Sequence, residues 1–333
     1  MLPTIGIHGD TIDAMAQSTL VPFGYSALRA ENKEGQRPLQ VDLWYPADPV
    51  AEELRFTYEP GSVGKAATQA EPARDAAPLV VLSADAHGSA RSYTWLAEFL
   101  ARRGFIVAGV SPGEESPDRQ GPTQGRLAAG RAWEQARDCS AALDFVLSHP
   151  EFGGQADPAR IGAVGHSSGG AAVLALAGAV FDPAAMQAYC RSAASQNDLA
   201  CQEPATSTEV GGAGGSLLDP RVRAVAALDP SLGPGHNARS LSCVQVPVHI
   251  VATVEGDFLP FEHHAGRYAR LIPGAFLTPL THGEGHFVFL DECRGEERVA
   301  GVPVCRDRDG VQRSAVHARL AEILARFFTD QLQ

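Results

Sequence analysis

Short apolar runs and longer amphipathic runs alternate along most of the chain. PLVVLS (78–83), FIVAGVSP (105–112), RIGAVGHS (160–167), RVRAVAALDP (221–230) and VPVHIVAT (246–253) are nearly continuous in apolar residues. That is the pattern of strands buried on both faces of a parallel sheet. LQVDLWYPAD (39–48) alternates apolar and polar residues and predicts an earlier strand, and AFLTPL (275–280) predicts a short late one. Between these runs the periodicity changes to that of helices. YTWLAEFLARRG (93–104) stops at a glycine, and RLAAGRAWEQARDCSAALDFVLSHP (126–150) stops at a proline. SGGAAVLALAGAV (168–180), EHHAGRYARLI (262–272) and SAVHARLAEILARFFTDQL (314–332) also read as helices. Strands and helices in strict alternation predict one doubly wound α/β domain over 1–333 with a mostly parallel sheet. Two stretches break the rhythm. Residues 59–78, rich in Pro, Gly and Ala, predict a surface loop. Residues 181–217 are too polar and glycine-rich for the core and predict an insertion. An excursion at that point of the chain is expected over the carboxyl ends of the strands, as a lid or pocket wall, or else as a mere surface loop.

Composition narrows the function classes. The 333 residues carry a net charge of -12, which argues against nucleic acid or an anionic membrane as the main partner. No window supplies the ~20 apolar residues of a membrane-spanning helix. The opening MLPTIGIHGDTIDAMAQSTL lacks a basic segment followed by an apolar one, so it does not read as a signal peptide. Six cysteines are present. Cys190 and Cys201 flank one polar loop, and Cys293 and Cys305 flank another. Two loop-closing pairs predict disulfides and a periplasmic or secreted protein whose signal peptide is absent from this chain. Six free thiols in a cytoplasmic enzyme are the competing reading. Partners for Cys139 and Cys243 do not follow from the spacing. No cysteine or histidine cluster has metal-site spacing, so neither metal nor organic cofactor is expected.

The chemistry concentrates in Gly165-His166-Ser167-Ser168-Gly169, a G-x-S-x-G pattern between a predicted strand and a predicted helix. Such a turn presents its central serine at a helix N-terminus. Small residues two positions to either side let the backbones approach. Ser167 is therefore the candidate nucleophile, and the backbone N–H of Ser168 a candidate oxyanion donor. A polar turn without chemistry is the competing reading. A nucleophilic serine needs a base. His286 lies in the glycine-rich THGEGHFVFL after the last strand, where a loop can return to the serine, whereas His249 lies in a strand and His263 and His264 in a helix. His282, four residues before His286, invites a metal reading, but the glycines between the two argue against a helix and no third ligand is apparent. Asp229 and Asp257 both follow strands and both precede His286. On the residues alone, either completes a Ser-Asp-His order.

These features together resemble the α/β-hydrolase family and, within it, the predicted dienelactone hydrolases related to platelet-activating-factor acetylhydrolases. The resemblance runs from LQVDLWYPAD to the terminal helix. It is carried by PLVVLS…HGSARSYTWLAEFLARRGFIVAGV, by GHSSGG, by LIPGAF…GHFVFLDEC and by the late cysteine pair. It implies that His286 is the base. It also implies a second oxyanion donor from the loop after the second buried strand. That loop usually reads S-H-G-x-G, whereas here it reads Ser83-Ala84-Asp85-Ala86-His87-Gly88, so Ala86 donates by position and Asp85 has to point away or be protonated. Relatives that place the acid nine residues beyond the proline of V-P-V, here Pro247, would put it at Gly256, one residue before Asp257. Acetylhydrolase-like relatives place it in a segment like ALD, which fits Asp229 without a gap and favours it over Asp257.

The expected activity is hydrolysis of small-molecule or polymeric carboxylic esters through an acyl-enzyme. An amidase, peptidase or polyester depolymerase using the same triad is the nearest alternative. A serine in place of the cysteine found in many dienelactone hydrolases favours ordinary esters. A non-catalytic binding protein of the same fold is the alternative from another class, and it is disfavoured because both the serine and the histidine are present.

Overall fold

The computed structural model describes residues 21–33, 37–47, 54–58, 63–68, 70–73, 76–86, 88–113, 128–201 and 215–333. The strands are β1 (Phe23–Asn32), β2 (Arg37–Pro46), β3 (Leu54–Thr57), β4 (Val63–Thr68), β5 (Ala77–Ser83), β6 (Ile106–Pro112), β7 (Ala156–His166), β8 (Val222–Leu228), β9 (Val248–Thr253) and β10 (Phe276–Leu280), with a small hairpin of β11 (Arg298–Val299) and β12 (Val302–Pro303). The helices are α1 (Thr94–Arg102), α2 (Ala128–Ser148), α3 (Ser168–Leu176), α4 (Pro183–Cys190), α5 (Ala238–Ser242), α6 (Ala265–Leu271) and α7 (Arg313–Gln331).

The first ten strands form one sheet in the order β10-β9-β8-β7-β5-β6-β2-β1-β4-β3. From β6 to β10 every neighbouring pair is parallel, and β2 joins β6 antiparallel. This is the expected mostly parallel, doubly wound α/β sheet. Its central strands are apolar throughout because both faces are covered. One face packs on α2, α3 and α6, through residues such as Leu143, Val173, Leu174 and Tyr268. The other packs on α1 and α7, through Leu96, Leu100, Leu320, Leu324 and Phe328. In α7 the buried Leu320, Leu324 and Phe328 recur every four residues, one stripe of an amphipathic helix. Phe328 comes so close to the sheet that a Cβ on Gly162 would collide with its ring.

The stretch expected as a surface loop, 59–78, is corrected in part. It contains β4, which pairs antiparallel with β3 and, over Gly24↔Ala67 and Tyr25↔Thr68, parallel with β1. Pairing is satisfied by backbone groups, so a segment as poor in large apolar residues as VGKAAT can still form a peripheral strand. His263 and His264 lie in the turn before α6 and not inside it. Part of the insertion expected over 181–217 lies outside the described residues, namely 202–214. The first twenty residues, on which the signal-peptide reading rests, also lie outside them. Among the described residues no helix is long and apolar enough to cross a membrane.

Candidate active site

Ser167 sits between the end of β7 and the start of α3, with φ 56° and ψ -118°. Only a few per cent of residues other than glycine adopt positive φ, and such strain collects at functional sites. The turn holds because its surroundings fix it. The Ser167 N–H donates to the Leu228 carbonyl (2.9 Å), and the Ser167 carbonyl accepts from the Ser231 N–H (3.1 Å). The glycines have direct steric reasons. A Cβ on Gly165 would collide with the Gly169 carbonyl, and one on Gly169 with the carbonyls of Ser83 and Ala84. The elbow is thus wedged against the loop after β5. Ser168 opens α3, so its N–H belongs to the unpaired first turn of a helix.

His286 begins a short 3-10 turn, His286–Phe289, after β10 and is buried. The loop that carries it is held from several sides. Asp291 accepts from the Thr94 and Trp95 N–H groups and from the Thr94 hydroxyl, which docks the loop on the N-terminus of α1. The Trp95 indole donates to the Phe289 carbonyl, and His317 Nε2 lies 2.7 Å from the Val288 carbonyl. The buried Arg313 donates to the carbonyls of Leu290, Asp291 and Val304. These contacts fix the backbone around the imidazole, as a positioned base requires.

The two candidate acids reach His286 differently. Asp229, at φ 39° just after β8, places Oδ2 2.7 Å from His286 Nδ1. Its carboxylate also accepts from the Thr253 N–H and hydroxyl, each at 3.1 Å. Asp257 instead accepts from the His286 backbone N–H at 2.9 Å. It supports the loop and does not touch the ring. A Cβ on Gly285 would lie 2.6 Å from the Asp257 carboxylate, which would have to shift. Phe258 stacks flat on the imidazole, with centroids 4.7 Å apart and planes 12° apart. The ring of His166, next to Ser167, lies 4.6 Å from that of His286. His282 is largely exposed, with Glu284 as its acidic neighbour.

On the opposite side of the serine, the loop 84–86 is gripped by two side chains. Gln135 of α2 donates to the Ala84 carbonyl (2.8 Å), and the Asp85 N–H donates to the Tyr93 hydroxyl (3.1 Å). The Asp85 carboxylate folds toward Gly88, where a Cβ would collide with its Oδ1. Ala86 lies in the same bend, and His87 lies outside the described residues. A cleft opens beside this loop, lined by Asp85, Ala86, Ser111, Glu134 and Gln135. Tyr93 and His166 form a buried contact, Oη to Nδ1, of 2.9 Å. Burial drives the Tyr93 phenol well above its ordinary pKa. Burial, with some help from neighbouring His286, drives His166 well below its own. Tyr93, Thr253, Phe258 and Asp291 did not emerge from the sequence as site residues, nor did His166 in a role of its own. Only His166 carries a local signal, its place beside the nucleophile.

The described part of the insertion leans on both acid-bearing loops. Its first residues pair with the loop after β8, through the Phe181↔His236 bridge and the Asp182 N–H on the Gly235 carbonyl (2.6 Å). Its far end is closed by a disulfide, Cys190–Cys201. From that closed end Asp198 holds His264 Nε2 at 2.7 Å, and the Leu199 N–H donates to the Phe258 carbonyl at 3.2 Å. The second expected disulfide, Cys293–Cys305, is also formed. Cys139 and Cys243 are free, the former buried with its thiol pushed up to about 12.

No family model and no curated protein matches the sequence. A solved structure described as a ferulic acid esterase from Streptomyces cinnamoneus is similar, with a TM-score of 0.64 and 24% identity, over 96% of this chain and 92% of its own. The likeness covers nearly the whole of both chains, and the fold is that of the α/β-hydrolases.

Proposed function

We propose that the chain is a serine hydrolase of carboxylic esters. Ser167 is the nucleophile, His286 the general base and Asp229 the acid that orients it. The reading is carried by one observation: a buried aspartate lies on the Nδ1 side of a buried histidine whose ring abuts the residue beside a serine held at positive φ. Asp229 on Nδ1 keeps the proton there and leaves Nε2 as the basic nitrogen. In the first half-reaction Nε2 takes the Ser167 proton as Oγ bonds to the ester carbonyl carbon. The tetrahedral oxyanion is held by the N–H groups of Ser168 and Ala86. Collapse breaks the C–O bond to the alkoxy group, which leaves with the proton from His286. Water then repeats the sequence on the acyl-enzyme and releases the acid.

The described part of the insertion, which braces the loops after β8 and β9, is read as a wall of the site within a single domain. The ferulic acid esterase neighbour makes hydroxycinnamate esters a substrate class to test beside short-chain and polymeric esters. The disulfides support export to an oxidising compartment.

Ser167→Ala is the direct test. Hydrolysis of p-nitrophenyl acetate should fall to the uncatalysed rate, with the melting temperature near that of the wild type. Retained hydrolysis in the variant would refute the assignment.

A further inference from the structure

We propose that Tyr93 and His166 are a positioning pair that sets the oxyanion loop against the serine elbow. The inference rests on the esterase reading above and adds to it two residues that touch no substrate. The hydrogen-bond directions follow from chemistry. A backbone N–H can only donate, so the Tyr93 oxygen accepts from Asp85. His166 Nδ1, 2.9 Å away, is the acceptor in reach of the single phenolic proton, and in the proposed pair the proton is directed there. That nitrogen must present its lone pair, so His166 is neutral and carries its proton on Nε2. Both rings are essentially without solvent contact, at 1% and 0% exposure. Their pKa shifts hold the phenol protonated and the imidazole uncharged. On its other side the His166 ring packs against that of His286, with centroids 4.6 Å apart.

Three segments far apart in the chain thus meet on two side chains: the loop at Asp85, the elbow at His166 and the base loop at His286. The Asp85 N–H is held by the Tyr93 oxygen, which fixes the backbone that leads into Ala86. Tyr93 is itself held at the end of a 3-10 turn, Ala90–Tyr93, whose first N–H donates to the Ser111 hydroxyl. Oxyanion donors act through preorganisation, so a loop that loses this bond should lose transition-state binding and keep ground-state binding.

The test compares wild type, Tyr93→Phe, His166→Leu, His166→Asn and the double variant Tyr93→Phe/His166→Leu on p-nitrophenyl acetate. Melting temperature and fluorophosphonate labelling of Ser167 are followed for each. Tyr93→Phe and His166→Leu should lower kcat about tenfold or more, with KM changed less than about twofold. An aryl trifluoromethyl ketone, whose serine adduct carries an oxyanion, should lose affinity by the same factor as kcat/KM. The double variant should be no worse than either single one, because both remove one unit. His166→Asn, which offers an acceptor where Nδ1 stood, should recover most of the loss. A wild-type kcat in Tyr93→Phe, or a fall in kcat without the matching fall in ketone affinity, would overturn the pair. Should Tyr93→Phe fail to fold, the ratio of His166→Asn to His166→Leu decides, and a ratio near one overturns it. A wild type that neither hydrolyses the ester nor labels at Ser167 sinks the esterase reading and this one together. An active wild type with an unaffected Tyr93→Phe sinks this one alone.

Discussion

The loop after β8 and the loop after β9 both end on His286, and each brings an aspartate. Asp229 arrives at the edge of the imidazole, 2.7 Å from Nδ1, with only 4% of its side chain exposed. Asp257 arrives at the backbone N–H of the same residue, and 24% of its side chain is exposed, with Arg308 at 3.8 Å. Equal nearness to one histidine therefore divides into two kinds of work. A carboxylate on the ring selects the tautomer and stabilises the imidazolium. A carboxylate on the backbone holds the loop and makes no hydrogen bond that selects the ring's tautomer. Thr253, between the two loops, reinforces the division by donating twice to Asp229.

The largest expected effect tests that division directly. Asp229→Asn should lower kcat on p-nitrophenyl acetate on the order of 10³–10⁴-fold, since the amide no longer holds the proton on Nδ1. Asp257→Asn keeps a carbonyl acceptor for the His286 N–H and should cost less than about tenfold. Steady-state kinetics on the two variants decide it, and a larger loss at Asp257 would exchange their roles.

On the residues alone that contrast was not readable, only the family resemblance favoured Asp229, and the reason is physical. Asp229 and Asp257 both follow buried strands, and strand ends in such a sheet all point to one face. What separates them is the rotation of the His286 ring, which depends on a 3-10 turn pinned by Asp291, Arg313 and His317. The G-x-S-x-G elbow was readable, because its glycines are demanded by contacts within a few residues and with the loop after β5. So were the disulfides and the strands β5 to β10, whose apolar runs leave few other readings. β1, β3 and β4 escaped for lack of a long apolar pattern. In β1 half-buried and exposed positions alternate from Ser26 to Glu31, and the half-buried ones include Ser and Ala. The Tyr93–His166 contact joins positions 73 apart and leaves no trace in spacing.

A smaller effect comes from the insertion, which braces the two loops by different means. Its start pairs with Gly235 and His236 on the Asp229 side. Its disulfide-closed end grips Phe258 and His264 on the Asp257 side. Cys190→Ser/Cys201→Ser should therefore loosen the Asp257 side first. We expect about 2–4 kcal/mol less stability by denaturant titration. A several-fold lower kcat/KM should accompany it, as the ring stacked on the imidazole loses its backing. Hydrogen exchange should rise over 257–264 before it rises over 229–236. The reverse order would show that the insertion braces the other loop.

The smallest effect lies on the Asp229 side and appears only with pH. Behind that loop His236 is fully buried, with Nδ1 3.1 Å from the Leu232 carbonyl and 3.0 Å from the Tyr268 hydroxyl, which itself donates to the Ser231 carbonyl. The tyrosine's proton is committed to Ser231, so His236 donates from Nδ1. Burial brings its pKa down to about 4. In the unfolded chain the group titrates near 6.5. Between these values the unfolded state binds a proton that the folded state does not. The stability this group contributes is whole above about pH 6.5 and is lost as pH falls toward 4, by up to about 1.4 kcal/mol per pH unit. His236→Asn keeps a donor where Nδ1 stood and removes the titration. Melts from pH 7 to 4.5 should show a shallower decline for this variant than for the wild type. Other buried histidines, among them His166, His249 and His317, also have lowered pKa values and set a slope common to both proteins, so the difference reads His236 alone. Parallel curves would mean that His236 is not what ties the Asp229 loop to pH.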